Sequence, residues 1–450
     1  MKSIIIFFFI FSITCAQEGK FDTFNYRCTD GKIRPYIVYT PKNFPVNKKK
    51  PLIVFLHGSV SSPQLKKDPL DYIKKSKWVG LADRGGFFLL FCYGQQGATW
   101  FDEVGQDMIF KEIEVTKEEF NIDADKVFLS GFSDGGSGVL YTAMTNPFLF
   151  AGFIAMNGSL PVAAKLGKNG IFPQNSNNIP IYVINTTEDP LYPINQMTPV
   201  TGYLKQFNRN IIYKTPKGGH EMAYFDGEKD SLLTFIRKNS RISPFNASVE
   251  TAVPARFSFI SITKIDTESS SQEWHKKYSL KIFNDKADFG ISYDYSFKGK
   301  GLKVSSIKND STTAGKMGIK KGDVILQMED DIIKNAYDPF FYLIKKKAGD
   351  STYVKILREN KALILSGKFN PGYYYEVFPQ DLKMGKIVIV TKNREMTIKT
   401  SRVSELTLDF NSLKKQRIKL VKINEKYLST KLKGVQKVEI QDQSVTATPF

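Results

Sequence analysis

The sequence predicts an α/β protein: a mostly parallel sheet covered by helices on both faces, followed by a β-rich C-terminal half. Three observations carry this expectation. Short unbroken apolar runs alternate with helical patterns through the first 240 residues, as expected for strands buried on both faces. One run, residues 127–129, enters Gly131-Phe132-Ser133-Asp134-Gly135-Gly136, and a helical segment at 139–144 leaves it. Small residues on both sides of a serine let the chain turn sharply from strand to helix and lift the hydroxyl clear, which is a nucleophile elbow. Beyond residue 285 the pattern changes to short β runs broken by Gly-Asp turns.

The chain opens with Lys2, an aliphatic and Phe-rich run at 4–13, and Thr14-Cys15-Ala16. A charged start, a short greasy core and a small-residue site predict a signal peptide, residues 1–16, and a secreted or periplasmic protein. The run is too short to span a bilayer comfortably, and no later stretch reaches that length, so no transmembrane segment is expected in the mature chain. Residues 33–39 read as a strand of an edge hairpin. Lys48-Lys49-Lys50 marks a solvated turn before the apolar strand 52–56. Further strands are expected at 87–92, 127–129, 154–156, 179–185 and 211–213, with a helix at 106–120. Cys28 and Cys92 are the cysteines left after cleavage; export permits a disulfide, and two buried thiols fit equally well.

The chemistry follows from order along the chain. A serine hydroxyl needs a base within hydrogen-bond reach before it can attack. His220 in Lys217-Gly218-Gly219-His220 is the credible base, since His57 sits in a loop after strand 52–56 and His275 lies in a polar stretch further on. Asp189, just after strand 179–185, is expected to orient the imidazole, with neighbouring Glu188 as its substitute. Two backbone donors must face the developing oxyanion; they are placed on Asp134, after the nucleophile, and on Ser59, beyond His57-Gly58. Gln96, Trp100, Tyr192 and Tyr224 are weaker candidates for the substrate pocket, and packing competes for Trp100. No metal or organic cofactor is required, and three histidines without clustered ligand spacing argue against a metal centre.

The motifs His57-Gly58-Ser59, residues 94–100, the Ser133 elbow, Asp189 and His220 resemble the alpha/beta-hydrolase esterases. The similar group comprises secreted polyhydroxybutyrate depolymerases and feruloyl esterases, also phospholipase/carboxylesterase-like. The resemblance covers about residues 30–240 and implies an alpha/beta-hydrolase fold and a small-molecule or polymer-linked carboxylic ester as substrate. It departs at Ser59-Val60-Ser61-Ser62, where many relatives carry a more glycine-rich loop. A serine peptidase and an inactive scaffold for peptide or polymer binding are the alternatives.

In the C-terminal half, Ala314-Gly315-Lys316-Met317-Gly318-Ile319-Lys320-Lys321-Gly322-Asp323-Val324-Ile325 and a second helix near 339–347 resemble a PDZ domain of the bacterial protease-associated kind. That resemblance implies that Phe289, Gly290 and Ile291 form a carboxylate-receiving loop for a C-terminal peptide, which adds a strand to the sheet edge. The chain's own end, Thr448-Pro449-Phe450, has the chemistry of such a ligand. Residues 369–450 alternate as a small all-β domain. The expected division is therefore a hydrolase domain at 17–245, a connecting β segment at 246–284, a PDZ-like domain at 285–368 and the β domain. Alternatively, segment 256–283 completes the last domain and the PDZ-like part is inserted.

The net charge of +19 is uneven, +4 over residues 17–240 and +14 over 241–450. No zinc finger, basic helix or aromatic-and-basic stripe accompanies it, so no nucleic-acid partner is expected; a solvated basic face is the plainer reading.

Overall fold

The computed structural model describes residues 19–42, 48–61, 68–335, 338–428, 432–441 and 444–450. The expected signal peptide lies outside them.

Eight strands form the first sheet: β1 (Lys20–Arg27), β2 (Ile33–Thr40), β3 (Lys50–Leu56), β4 (Phe88–Cys92), β5 (Ile122–Phe132), β6 (Gly152–Met156), β7 (Ile181–Ile184) and β8 (Ile211–Lys214). Their order is β1-β2-β4-β3-β5-β6-β7-β8. The β1–β2 hairpin is antiparallel to the rest, and β4 onward is parallel. Each expected apolar run is a strand of this sheet. The sequence reading missed β1, an edge strand whose residues stay half exposed.

The pleat explains why β3 is apolar throughout. Leu52, Val54 and Leu56 face one core, where they join Met108 and Ile109 of helix Glu103–Glu119 and Val139 and Leu140 of helix Asp134–Thr145. Ile53 and Phe55 face the other, with Trp78 of helix Lys77–Gly85 and Phe225 and Leu232 of helix Phe225–Lys238. Alternate residues along a strand point to opposite faces, so a strand covered twice has no polar side. Cys28 and Cys92 are both buried and unbridged, and burial raises both thiols.

Strands within 246–284 pair with strands of residues 385–409. Ala247–Thr251 pairs with Gly385–Lys392, and Ile260–Ile265 pairs with Val403–Asp409, in two five-stranded sheets. A two-stranded neck, Lys281–Asn284 with Tyr373–Glu376, then leads out to a separate sheet and back. That sheet holds Ile291–Asp294, Leu302–Ile307, Val324–Met328, Ser351–Arg358 and Lys361–Lys368 in this order, over its own core of Phe289, Val304, Ile325, Val354 and Ile356.

Residues 448–450, whose chemistry suits a peptide ligand, are engaged elsewhere: Ser444–Pro449 is hydrogen-bonded along Val435–Gln441, and the Phe450 amide donates to Val435 O at 3.1 Å.

Candidate active site

β5 carries Ser133 to the rim of the sheet. Ser133 adopts φ 60° and ψ −123° at the mouth of helix Asp134–Thr145, a strained conformation of the kind held at functional sites. The turn is locked by the Ser133 amide donating to Met156 O at 3.0 Å. It also demands glycine nearby. A Cβ on Gly135 would stand 1.9 Å from Leu56 O, and one on Gly58 would stand 2.9 Å from the Ser133 Cβ. The end of β3 with its following loop and the elbow are therefore packed too closely for a side chain at either glycine.

β7 ends three residues before Thr187-Glu188-Asp189, and β8 leads to Gly218-Gly219-His220. His220 Nε2 lies 2.8 Å from Ser133 Oγ, and His220 Nδ1 lies 2.8 Å from Asp189 Oδ2. With the proton on Nδ1 facing the carboxylate, the Nε2 lone pair faces the serine hydroxyl. Asp189 is 3% exposed and accepts four hydrogen bonds. Leu191 and Tyr192 amides donate to Oδ1 at 2.8 and 2.9 Å, and Asn157 Nδ2 joins His220 at Oδ2 at 2.9 Å. Burial works to raise this carboxyl, but the donors from His220, Asn157 and the Tyr192 amide outweigh it and hold it below its ordinary value. Glu188, the expected substitute, points away to Lys217 at 3.8 Å.

Around this hydrogen-bonded chain the weaker candidates separate. Tyr192 sits edge-on to the His220 ring, centroids 5.3 Å apart, and its hydroxyl donates to Asp134 Oδ1 at 2.7 Å. The other Asp134 oxygen accepts the Val60 amide at 3.1 Å. Ser59, at φ 57°, lies between that anchor and Gly58. Trp100 is corrected: it is 0% exposed, with its indole Nε1 donating to His57 O at 2.8 Å, so it braces the loop from behind. Tyr224 likewise lies behind the acid, where its hydroxyl donates to Asn157 Oδ1 at 2.8 Å. Gln96 is exposed at the tip of the Gln95–Ala98 turn, and the His57 Nδ1 contacts Gly58 O at 2.7 Å, not the serine.

Sequence reasoning missed Asn157. No local signal marks it: it reaches Asp189 across the sheet, and Thr186 Oγ1 at 2.8 Å. His275, set aside as polar, joins a second Ser-His-carboxylate contact. Its Nδ1 lies 2.9 Å from Ser401 Oγ and its Nε2 lies 2.9 Å from Glu250 Oε1. All three residues are buried, and Ser401 Oγ already accepts the Gln272 amide. The set resembles that around Ser133, with glutamate in place of aspartate, but buried on all sides it serves packing. Among the described residues no cluster of three His, Cys, Asp or Glu side chains forms a metal site, and no helix is long and apolar enough to cross a membrane.

Sheet order, elbow and hydrogen-bonded chain together define an alpha/beta-hydrolase region related to carboxylesterase-type enzymes. Residues 43–240 match the family model described as Phospholipase/Carboxylesterase. Over 186 residues the chain is 28% identical to the bifunctional acetylxylan esterase/xylanase XynS20E of Neocallimastix patriciarum, covering 41% of this chain and 25% of that protein. Over 130 residues it is 30% identical to acyl-protein thioesterase 1 of Neurospora crassa, covering 29% of this chain and 51% of that protein. The chain thus spans about a quarter of the first relative and half of the second. A thermostable esterase of known structure aligns at a TM-score of 0.40 and 20% identity, over 49% of this chain and 63% of that one.

Proposed function

We propose that this protein is a serine hydrolase that cleaves carboxylic esters through an acyl-enzyme. Ser133 attacks the carbonyl carbon and His220 Nε2 takes the hydroxyl proton. Asp189 holds the imidazole and stabilises its charged form, and the amides of Asp134 and Ser59 face the tetrahedral oxyanion. His220 then returns the proton to the leaving alcohol, and water, activated by the same imidazole, releases the acid. The observation that carries this reading is the pair of 2.8 Å contacts that His220 makes with Ser133 and Asp189. Val60 supports the assignment of Ser59, because its own amide is committed to Asp134.

Fluorophosphonate labelling tests the mechanism. The native protein is expected to label and Ser133→Ala is not; equal labelling, or none in either, would remove the reading. A panel of acetyl, feruloyl and hydroxyalkanoate esters beside peptide amides then decides ester against peptidase chemistry, with ester turnover expected.

The same reading takes residues 285–368 as a PDZ-like domain. Its support is the edge strand Ile291–Asp294 lying in a sheet that also carries helix Asp338–Leu343, with Gly290 at φ 72° before the strand. The Gly290 amide already donates to Asp288 Oδ1 at 2.9 Å, so a peptide carboxylate would have to displace that side chain. Export, with cleavage after Ala16, rests on the opening segment, and the domain limits at 245, 284 and 368 rest on composition and turns.

A further inference from the structure

A cavity of about 660 Å³ lies between the acid loop and the PDZ-like part. On the hydrolase side its wall is the stretch from Thr187 to Asn195, which includes Asp189 and Tyr192. On the other side it is Asp285–Ala287 and the end of helix Asp338–Leu343, with Phe340, Leu343 and Ile344. Leu191, Ile194, Ala287 and these three side chains form an apolar part of the lining, and Glu188, Lys346 and Lys347 are among the charged groups at the rest of it. The walls are fastened together. The Lys286 ammonium donates to Leu191 O, and Asn195 Nδ2 donates to Asp285 Oδ2 at 3.2 Å.

Two features say what the cavity takes. First, Asp189 and Tyr192 line it, and the Tyr192 ring lies against the His220 imidazole, centroids 5.3 Å apart, so the cavity adjoins the acid and base of the site although Ser133 does not line it. Second, a peptide adding a strand to the PDZ-like sheet would lie along Ile291–Asp294, and none of those residues lines the cavity. The space suits a small-molecule chain, being within the usual range for ligand sites and placed, as such sites often are, between domains and at the carboxyl ends of parallel strands.

We propose that this cleft is a substrate subsite for esters carrying an extended apolar chain, so that the PDZ-like part supplies one wall of the specificity pocket. The proposal rests on the reading of Ser133 as the nucleophile. Phe340 is the residue that reports on it, because it lines the cavity yet is 43% exposed, and its loss leaves no buried void. A chain filling the cleft covers that ring and takes it out of water.

The test compares kcat/KM for p-nitrophenyl octanoate and p-nitrophenyl acetate. In Phe340→Ala the octanoate-to-acetate ratio is expected to fall roughly tenfold, with Phe340→Leu restoring part of it. Tyr295→Ala, on an exposed ring that does not line the cavity, is expected to leave the ratio where it is. An unchanged ratio in Phe340→Ala, beside normal acetate turnover, overturns the proposal. Calorimetric binding of decanoate gives a readout that needs no turnover: weaker binding by roughly tenfold in Phe340→Ala supports the subsite, and equal binding sinks it. Absence of both ester turnover and fluorophosphonate labelling in the native protein would instead strike at the nucleophile, with decanoate binding still deciding the cleft.

Discussion

Asp134 follows Ser133, the proposed nucleophile, and its carboxylate takes hydrogen bonds from two different loops: the Val60 amide in the loop after β3 and the Tyr192 hydroxyl beyond Asp189. One side chain therefore sets the distance between donors and acid. If so, Asp134→Asn and Tyr192→Phe act on the same contact and their losses in kcat are not additive; a double-mutant cycle on acetate turnover should return a coupling of about 1 kcal/mol. Asn157 offers a stability measurement. The Asp189 carboxyl titrates below its ordinary value in the folded chain, so it stabilises the fold at neutral pH. That contribution is lost as pH falls from about 4 through the folded value. Asn157→Ala removes one donor from the ionised form. Urea unfolding should show a loss of about 1–3 kcal/mol at pH 7, and a shallower decline below about pH 4.

At the scale of elements, Ala247–Thr251 is the joint between the two halves. Asn175, in the hydrolase region, donates from Nδ2 to Glu250 O and accepts the Glu250 amide at Oδ1, both at 2.8 Å. The Glu250 side chain meanwhile gathers His275 Nε2 at 2.9 Å, the Tyr278 hydroxyl at 2.6 Å and Lys386 Nζ at 3.4 Å. Glu250 and the groups it binds are all buried. Deleting the carboxylate leaves a buried ammonium without its counter-charge, so Glu250→Ala should cost about 3–5 kcal/mol in denaturant unfolding. A loss below ~1 kcal/mol would mean that water or local rearrangement replaces it. The strands of the first sheet were legible because burial on both faces makes them apolar along their whole length. The role of Glu250 was not, since its four partners come from positions up to 136 residues away and no spacing announces them.

At the scale of the molecule, the neck matters most. Lys281–Asn284 and Tyr373–Glu376 run antiparallel in register, with Asn284 opposite Tyr373. Residues 285–372 thus leave and return at one point, over a hydrophobic core of their own. Replacing them with a short Gly-Asn turn should leave the hydrolase and flanking sheets folding cooperatively, as judged by near-ultraviolet circular dichroism and a single thermal transition. Aggregation of that variant would show that the insert is needed for folding. The linear order of residues was enough to place Ser133, Asp189 and His220 at strand ends, because the backbone of a parallel sheet brings successive carboxyl ends to one rim. It was also enough to mark the glycines of the elbow. The tertiary structure alone decided which side chains complete the site and which retreat from it. Trp100 and Tyr224 turn inward, Asn157 reaches Asp189, and Lys286 and Phe340 come from another part of the chain to line the cavity beside residues 187–195. Periodicity records which face of an element is buried, while contacts between distant loops depend on distances that are set once the whole chain has closed.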